Sequence, residues 1–279
     1  MKKSLHTLMS FIGVAIMLII SSCNKSIEVK PYKPSKELVK YDTITSLDKM
    51  SSDTAIWKFN GQCMMVTHEA STDEEFETED NTTIETDNDN NNGSLRASGC
   101  SSVFAGSARA TAKKSYATVA YVTYPTIASL RATLQTDTYM RSIGITTSSP
   151  RVSQEKRNVS ITNAYLYAIS RESDNDLHMI IGDGTASPTT LLNCECGGLP
   201  STTSSSYTAM KAVRDYLKSY FGTDFCGTSG YTHFAHPIHI TILKGSLFYD
   251  IDHVAGTVGP TGYRANTSWE IHPISSIKF

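Results

Sequence analysis

The second half of this 279-residue chain is built of short stretches in which apolar residues recur at every other position, the pattern of half-buried strands. Residues 159–170 predict a first strand, with Ile161, Leu166 and Ile169 at its apolar positions, and a polar turn at 171–175. Residues 176–182 place Leu177, Met179 and Ile181 on one face, and residues 189–196 make a third strand. The rhythm then changes. Met210, Val213, Leu217, Tyr220 and Phe221 follow helical spacing, with cap residues at 203–206 and a stop at Gly222. Strands return at 239–250, through Ile240, Ile242, Leu247 and Tyr249, and at 269–279. Nearer the N-terminus, Tyr116, Val119, Tyr121, Val122 and Tyr124 form a strand-like run closed by Pro125, a short helix is expected across 127–134, and 56–66 is a short apolar patch.

Three strands, a helix and two strands predict a mostly β, α+β domain over 101–279. The order is that of an OB-fold, a five-stranded barrel with its helix between strands three and four. A general mixed α+β domain is the alternative. In an OB barrel the loops after strands one and four flank the ligand cleft. Here those loops carry Glu172, Asp174 and Asp176 on one side and Asp250, Asp252, His253 and Tyr263 on the other, with Glu270 and His272 just beyond.

The N-terminal third reads differently. Lys2 and Lys3 precede an apolar stretch from Leu8 to Ile20, and Ser21, Ser22 and Cys23 follow. That stretch is too short for a comfortable membrane span and has the form of a secretory signal. Ile20-Ser21-Ser22-Cys23 resembles the bacterial lipobox, which implies a signal peptide over 1–22 and a lipid on Cys23; cleavage nearby by an ordinary signal peptidase is the alternative. The expectation is a protein of the bacterial cell envelope, held on a membrane through its lipid. Residues 23–100 then read as a disordered tether, rich in Lys, Ser and Thr at first and acidic over 73–92. Asp87 to Gly93 is similar to a calcium loop, but the glycine falls one place late and the closing glutamate is missing, so a solvated spacer is the preferred reading. Export permits disulfides. Cys194 and Cys196 share a strand face and are poorly placed to bond each other, so one of them, Cys196 in the arrangement preferred here, is expected to bridge to Cys226, and Cys63 to Cys100.

Three short signatures occur in order: Asp174-Asn175-Asp176-Leu177-His178, then Phe248-Tyr249-Asp250-Ile251-Asp252-His253, then Glu270-Ile271-His272-Pro273. Together they resemble a set of bacterial exported proteins with OB-fold-type domains and no established activity. The likeness covers roughly residues 115–279. Where those proteins often continue with a Gly-Gln-Thr-Gly-like loop, this chain has Val254-Ala255-Gly256-Thr257.

The chemistry at the rim admits two functions. One is a binding or structural module, whose Asp174, Asp176, Asp250, Asp252 and Tyr263 face a glycan or peptide. The other is a metal-dependent hydrolase of phosphodiesterase type. There His178, Asp250, His253 and His272 are candidate ligands of a divalent ion, and Glu172 or Glu270 activates water. The plainer view is that Asp174-Asn175 is turn chemistry and that each His–carboxylate pair locks a loop. A net charge of −2 and an acidic rim, with only Arg171, Lys244 and Arg264 nearby, disfavour bare nucleic acid. Neither a Ser-His-Asp signature, a phosphate loop nor a dinucleotide fingerprint is present. His233, His236 and His239 cannot lie on one helix because of Pro237, and on a strand their spacing alternates faces.

Overall fold

The computed structural model describes residues 43–44, 54–59, 62–69, 101–185, 190–222, 225 and 230–279, all within the unit Val39–Phe279. The leader with Cys23, the acidic stretch, Cys100, Cys226 and the side chain of Cys63 lie outside the described residues.

Among the described residues, eleven strands make one mixed sheet. In chain order they are β1 (Thr43–Ile44), β2 (Thr54–Phe59), β3 (Gln62–Glu69), β4 (Tyr121–Tyr124), β5 (Asn158–Ile161), β6 (Ala164–Arg171), β7 (Leu177–Gly182), β8 (Leu191–Cys196), β9 (Tyr231–Ile240), β10 (Ile242–Tyr249) and β11 (Trp269–Lys278). Across the sheet the order is β1-β2-β3-β9-β6-β7-β8-β11-β10-β5-β4. Parallel pairs occur at β1–β2, β8–β11 and β4–β5, and the other neighbours run antiparallel. The helices are α1 (Ala110–Lys113), α2 (Ile127–Arg131), α3 (Asp137–Ser142) and α4 (Tyr207–Phe221). Among the described residues no helix is long and apolar enough to cross a membrane.

The fold is thus a β-rich α+β domain, and its sheet is open, with β1 and β4 at the two edges. The closed five-stranded barrel expected from the element order does not form. One reason is that the run expected as a single first strand breaks at Thr162 and Asn163. Its halves part, β5 pairing with β10 while β6 pairs with β7 and β9. The other is that more chain joins the sheet than alternation revealed. The apolar patch before residue 101 supplies β2 and β3, because Trp57 stacks on Phe221 at 5.2 Å and Phe59 packs on the same ring at 5.4 Å. Pro237, which cannot donate to a ladder, lies in β9 beyond Phe234, the last residue paired with β3.

Period two divides the central strands cleanly. Leu177, Met179, Ile181, Leu192, Cys194, Cys196, Leu247, Tyr249, Trp269 and Ile271 turn to one face and form the main core with Val213, Leu217 and Phe221 of α4. Gly222, at φ 74°, closes that helix in the left-handed conformation. Cys194 and Cys196 are free thiols in this core, so the anticipated bridge from Cys196 is not formed. Facing inward among apolar side chains, Cys196 acts as a small hydrophobe. The opposite face carries His178, Asn193, Glu195, Phe248, Glu270 and His272, also buried.

What covers that second face is pinned by one arginine. Arg109, at φ 50°, forks Glu155 with bonds of 2.6 and 2.7 Å and donates to the carbonyls of Tyr249 at 2.8 Å and Pro150 at 3.0 Å. Glu155 in turn accepts from the Tyr249 N–H at 2.8 Å and the Val152 N–H at 2.7 Å. Both side chains are buried. Arg109→Ala leaves that carboxylate without its cation and is expected to destabilise the protein by about 3–5 kcal/mol. Arg109→Lys restores charge without the fork and recovers only part of the loss. Urea unfolding midpoints of the three proteins test this, and a wild-type midpoint for Arg109→Ala would refute it.

Candidate metal centre

Register assembles the polar face. On adjacent strands His178 sits opposite Glu195, and Asn193 opposite Glu270. His272 follows two residues on from Glu270, so it shares the same face. Asp176 enters just ahead of β7 from a turn in which its N–H donates to Asp174 Oδ1 at 3.0 Å and Asn175 takes a left-handed φ of 69°. Asp250 and His253 arrive from the other side, directly after β10. Arg141 holds that loop by donating to the carbonyls of Ile251 at 3.2 Å and His253 at 2.5 Å.

Carboxylates and imidazoles alternate across the resulting chamber. Glu172 Oε1 lies 3.5 Å from His178 Nδ1, whose Nε2 lies 2.9 Å from Glu195 Oε1. Glu195 Oε2 is 2.7 Å from His272 Nδ1, and Glu270 Oε2 is 3.9 Å from the same nitrogen. Glu270 Oε1 is 3.3 Å from His253 Nδ1, which is 3.5 Å from Asp250 Oδ2. A branch leads from His272 Nε2 to Asp176 Oδ2 at 3.4 Å, and Lys113 Nζ stands 4.0 Å beyond, 3.2 Å from Asp174 Oδ2. Asn193 donates from one nitrogen to Glu195 Oε1 at 2.7 Å and to Glu270 Oε1 at 3.0 Å, tying the two central carboxylates together.

Burial sets the electrostatics. His272 and Glu195 are 0 % exposed, and only Glu172, with 12 % of its side chain exposed, reaches outward. Burial alone would push the three imidazoles down, but the carboxylates beside them prevail. Glu195 and Glu172 hold His178 well above the usual histidine range; Asp250 and Glu270 bring His253 to about 9; Glu195 and Asp176 bring His272 to about 10. Glu195, which burial would raise, is held well below the carboxylate range by His178 and His272. Asp250 is lowered likewise by His253 and Lys113 against the opposing effect of burial. Asp176 goes the other way: burial first, then Asp174, push it well above the ordinary value.

Pairing inside the chamber is incomplete. Five carboxylate oxygens, Glu172 Oε1, Asp176 Oδ2, Glu195 Oε2, Asp250 Oδ2 and Glu270 Oε2, are buried without an aligned hydrogen bond from the protein, as are both ring nitrogens of His272. The 2.7 Å approach of His272 Nδ1 to Glu195 Oε2 lacks the alignment of a hydrogen bond. Donor atoms that crowd together without aiming at one another can aim at a common third point. Two trios can each offer an ion three such atoms within 4.8 Å of one another: Asp176, Glu195 and His272, and Asp250, His253 and Glu270. That spread is close to twice a ligand bond of roughly 2.0–2.2 Å. The thiols of Cys194 and Cys196 belong to the opposite face, so the donors are nitrogen and oxygen only, a set suited to manganese, iron or zinc.

His178, His253 and His272 do converge, as the sequence suggests, but not in one group of three. His253 and His272 fall in separate trios, and His178, its ring 5.4 Å from that of His253, bonds Glu195 instead. Asp174, Asp176 and Asp250 are buried here and line no open rim. Asp252 is exposed, and its N–H donates to Asp250 Oδ1 at 2.8 Å. Tyr263 packs on Tyr167 and His233. Asn193 and Lys113 have no place among the residues the sequence singles out, and Glu195 is suggested there only together with the cysteines that flank it, as a Cys194-Glu195-Cys196 metal site. Glu195 and Asn193 were legible in principle, since strand alternation puts them opposite the two cysteines. Lys113 comes from a distant helical turn with no motif to mark it.

The cover fits by close backbone approach. The Gly198 N–H donates to Asp176 Oδ1, and a Cβ at Gly198 would meet the Phe104 backbone at 2.6 Å. Gly198→Ala is therefore expected to push the 101–107 segment off the centre, at a cost of about 1–3 kcal/mol. Hydrogen exchange at Phe104 and Ala105, whose N–H groups bond Leu199 and Asp174, measures it. Unchanged protection there would show that the segment does not close the chamber.

No family model matches this chain, and neither a curated protein nor a solved structure is recognisably similar to it.

Proposed function

We propose that this protein is a metal-binding domain of the bacterial cell envelope, tethered through a lipid on Cys23, that holds a divalent transition ion in its buried carboxylate–histidine centre. The observation that carries this reading is the set of buried carboxylate oxygens without an aligned hydrogen bond from the protein, each from a different acid and each near an imidazole. Six carboxylates (Glu172, Asp174, Asp176, Glu195, Asp250, Glu270) face three imidazoles and Lys113. Ionised groups out of water need full compensation, and even with every histidine protonated and Asp176 held neutral by its burial this count leaves one negative charge unmatched. A divalent cation supplies the missing positive charge.

Binding without turnover fits better than the hydrolase reading. Both use the same ligands, but a phosphodiester would have to reach side chains that are almost wholly buried. The glycan or peptide module loses support for the same reason, since most of its contact residues point inward.

Protein purified without chelator is expected to carry manganese, iron or zinc by elemental analysis, and His272→Ala and Glu195→Gln to lose it together. Chelator is expected to lower the melting temperature. The ion restores about 2.7 kcal/mol at a hundredfold excess over its dissociation constant. Wild-type protein without metal, and unmoved by manganese, iron or zinc, would overturn the reading.

A further inference from the structure

The geometry points to a centre for two ions, with Glu270 as the carboxylate that bridges them. This rests on the metal reading above and deepens it. The two trios share no residue, and each has its own imidazole and its own outer carboxylate: His272 with Asp176, and His253 with Asp250. Glu270 lies between them. Its Oε2 faces His272 Nδ1 at 3.9 Å, while its Oε1 faces His253 Nδ1 at 3.3 Å. One carboxylate offering a separate oxygen to each of two imidazole-bearing sites is the arrangement of a bridged metal pair, whose ions stand about 3.5–4 Å apart.

Neighbouring groups hold this arrangement in place. Asn193 fixes Glu270 and Glu195 from a single amide nitrogen, so the bridge and the inner ligand of the first site keep a constant relation. Such outer hydrogen bonds orient ligands before the ion arrives. The Asn193 carbonyl oxygen is itself buried without a partner. Glu195 faces His272 with Oε2 and His178 with Oε1, so His178 orients the inner ligand from behind. Asp176 Oδ2 and Asp250 Oδ2, both buried and without an aligned hydrogen bond from the protein, are the outer ligands of the two sites.

Titration of the chelator-treated full-length chain with manganese, followed by equilibrium dialysis and electron paramagnetic resonance, tests the inference. The expected result is two manganese ions per chain and an exchange-coupled spectrum in which the six-line signal of isolated ions is lost. Asp250→Asn is expected to reduce the stoichiometry to one and restore the six-line signal. Glu270→Gln, of the same shape, is expected to abolish coupling even where ions still bind. Circular dichroism confirms that each variant is folded, and the wild-type stoichiometry stands without them. One uncoupled manganese per wild-type chain would overturn the paired centre while leaving the metal reading intact. No bound manganese, iron or zinc at all would overturn both.

Discussion

Glu195 is the group on which the rest of the centre depends. It is fully buried at mid-sheet, with one oxygen 2.9 Å from His178 and the other 2.7 Å from His272. A carboxylate in that position is costly to desolvate, and the cost is offset only because two imidazoles and the Asn193 amide converge on it. Everything around it follows from keeping those partners in register. β7 must pair with β8 so that His178 falls opposite Glu195, and β11 must join β8 in parallel so that Glu270 falls opposite Asn193. A slip of one residue on either side would turn the histidines into the apolar core and the core leucines into the chamber.

The division of the sheet into two unlike faces explains how a marginally stable domain can hold such a centre. One face gives α4 a continuous apolar surface, and the aromatic cluster of Trp57, Phe59, Phe221 and Phe234 extends it to the N-terminal strands. The stability gained there offsets the poorly compensated charges opposite. Arg109 then closes the polar face by an ion pair that is itself satisfied at nearly every donor, and so it serves as a fixed point for the covering segments. In this arrangement the free thiols of Cys194 and Cys196 stay on the apolar side, away from the donors that would compete for a soft ion.

Much of this was legible in the chain, and the remainder was hidden for identifiable reasons. Strand alternation located β6, β7, β8, β10 and β11, and helical spacing located α4, because local period is set by local geometry. It also gathered His178, Asp250, His253, Glu270 and His272 as one constellation. The pairing partners were not local. Residues 159–170 have a single continuous pattern although they serve two distant strands, and nothing between Tyr231 and Ile240 marks β9 as the link that brings β2 and β3 into the sheet. In a closed barrel the acidic residues would ring an open mouth. An extended sheet with its own covering segments places the same residues indoors. Glu195 is hard to assign from the chain because its cysteine neighbours, the more conspicuous ligands, lie on the other face of their strand, and Lys113 because only tertiary contact gives it a role.

The central claim is that this buried set of nitrogen and oxygen donors exists to hold transition metal. X-ray absorption at the metal edge of protein loaded with manganese or zinc tests it most directly. The account predicts a first shell of nitrogen and oxygen at about 2.0–2.2 Å, with the outer-shell scattering of imidazole and no sulfur. A shell containing sulfur, or one of oxygen alone without imidazole, would contradict it.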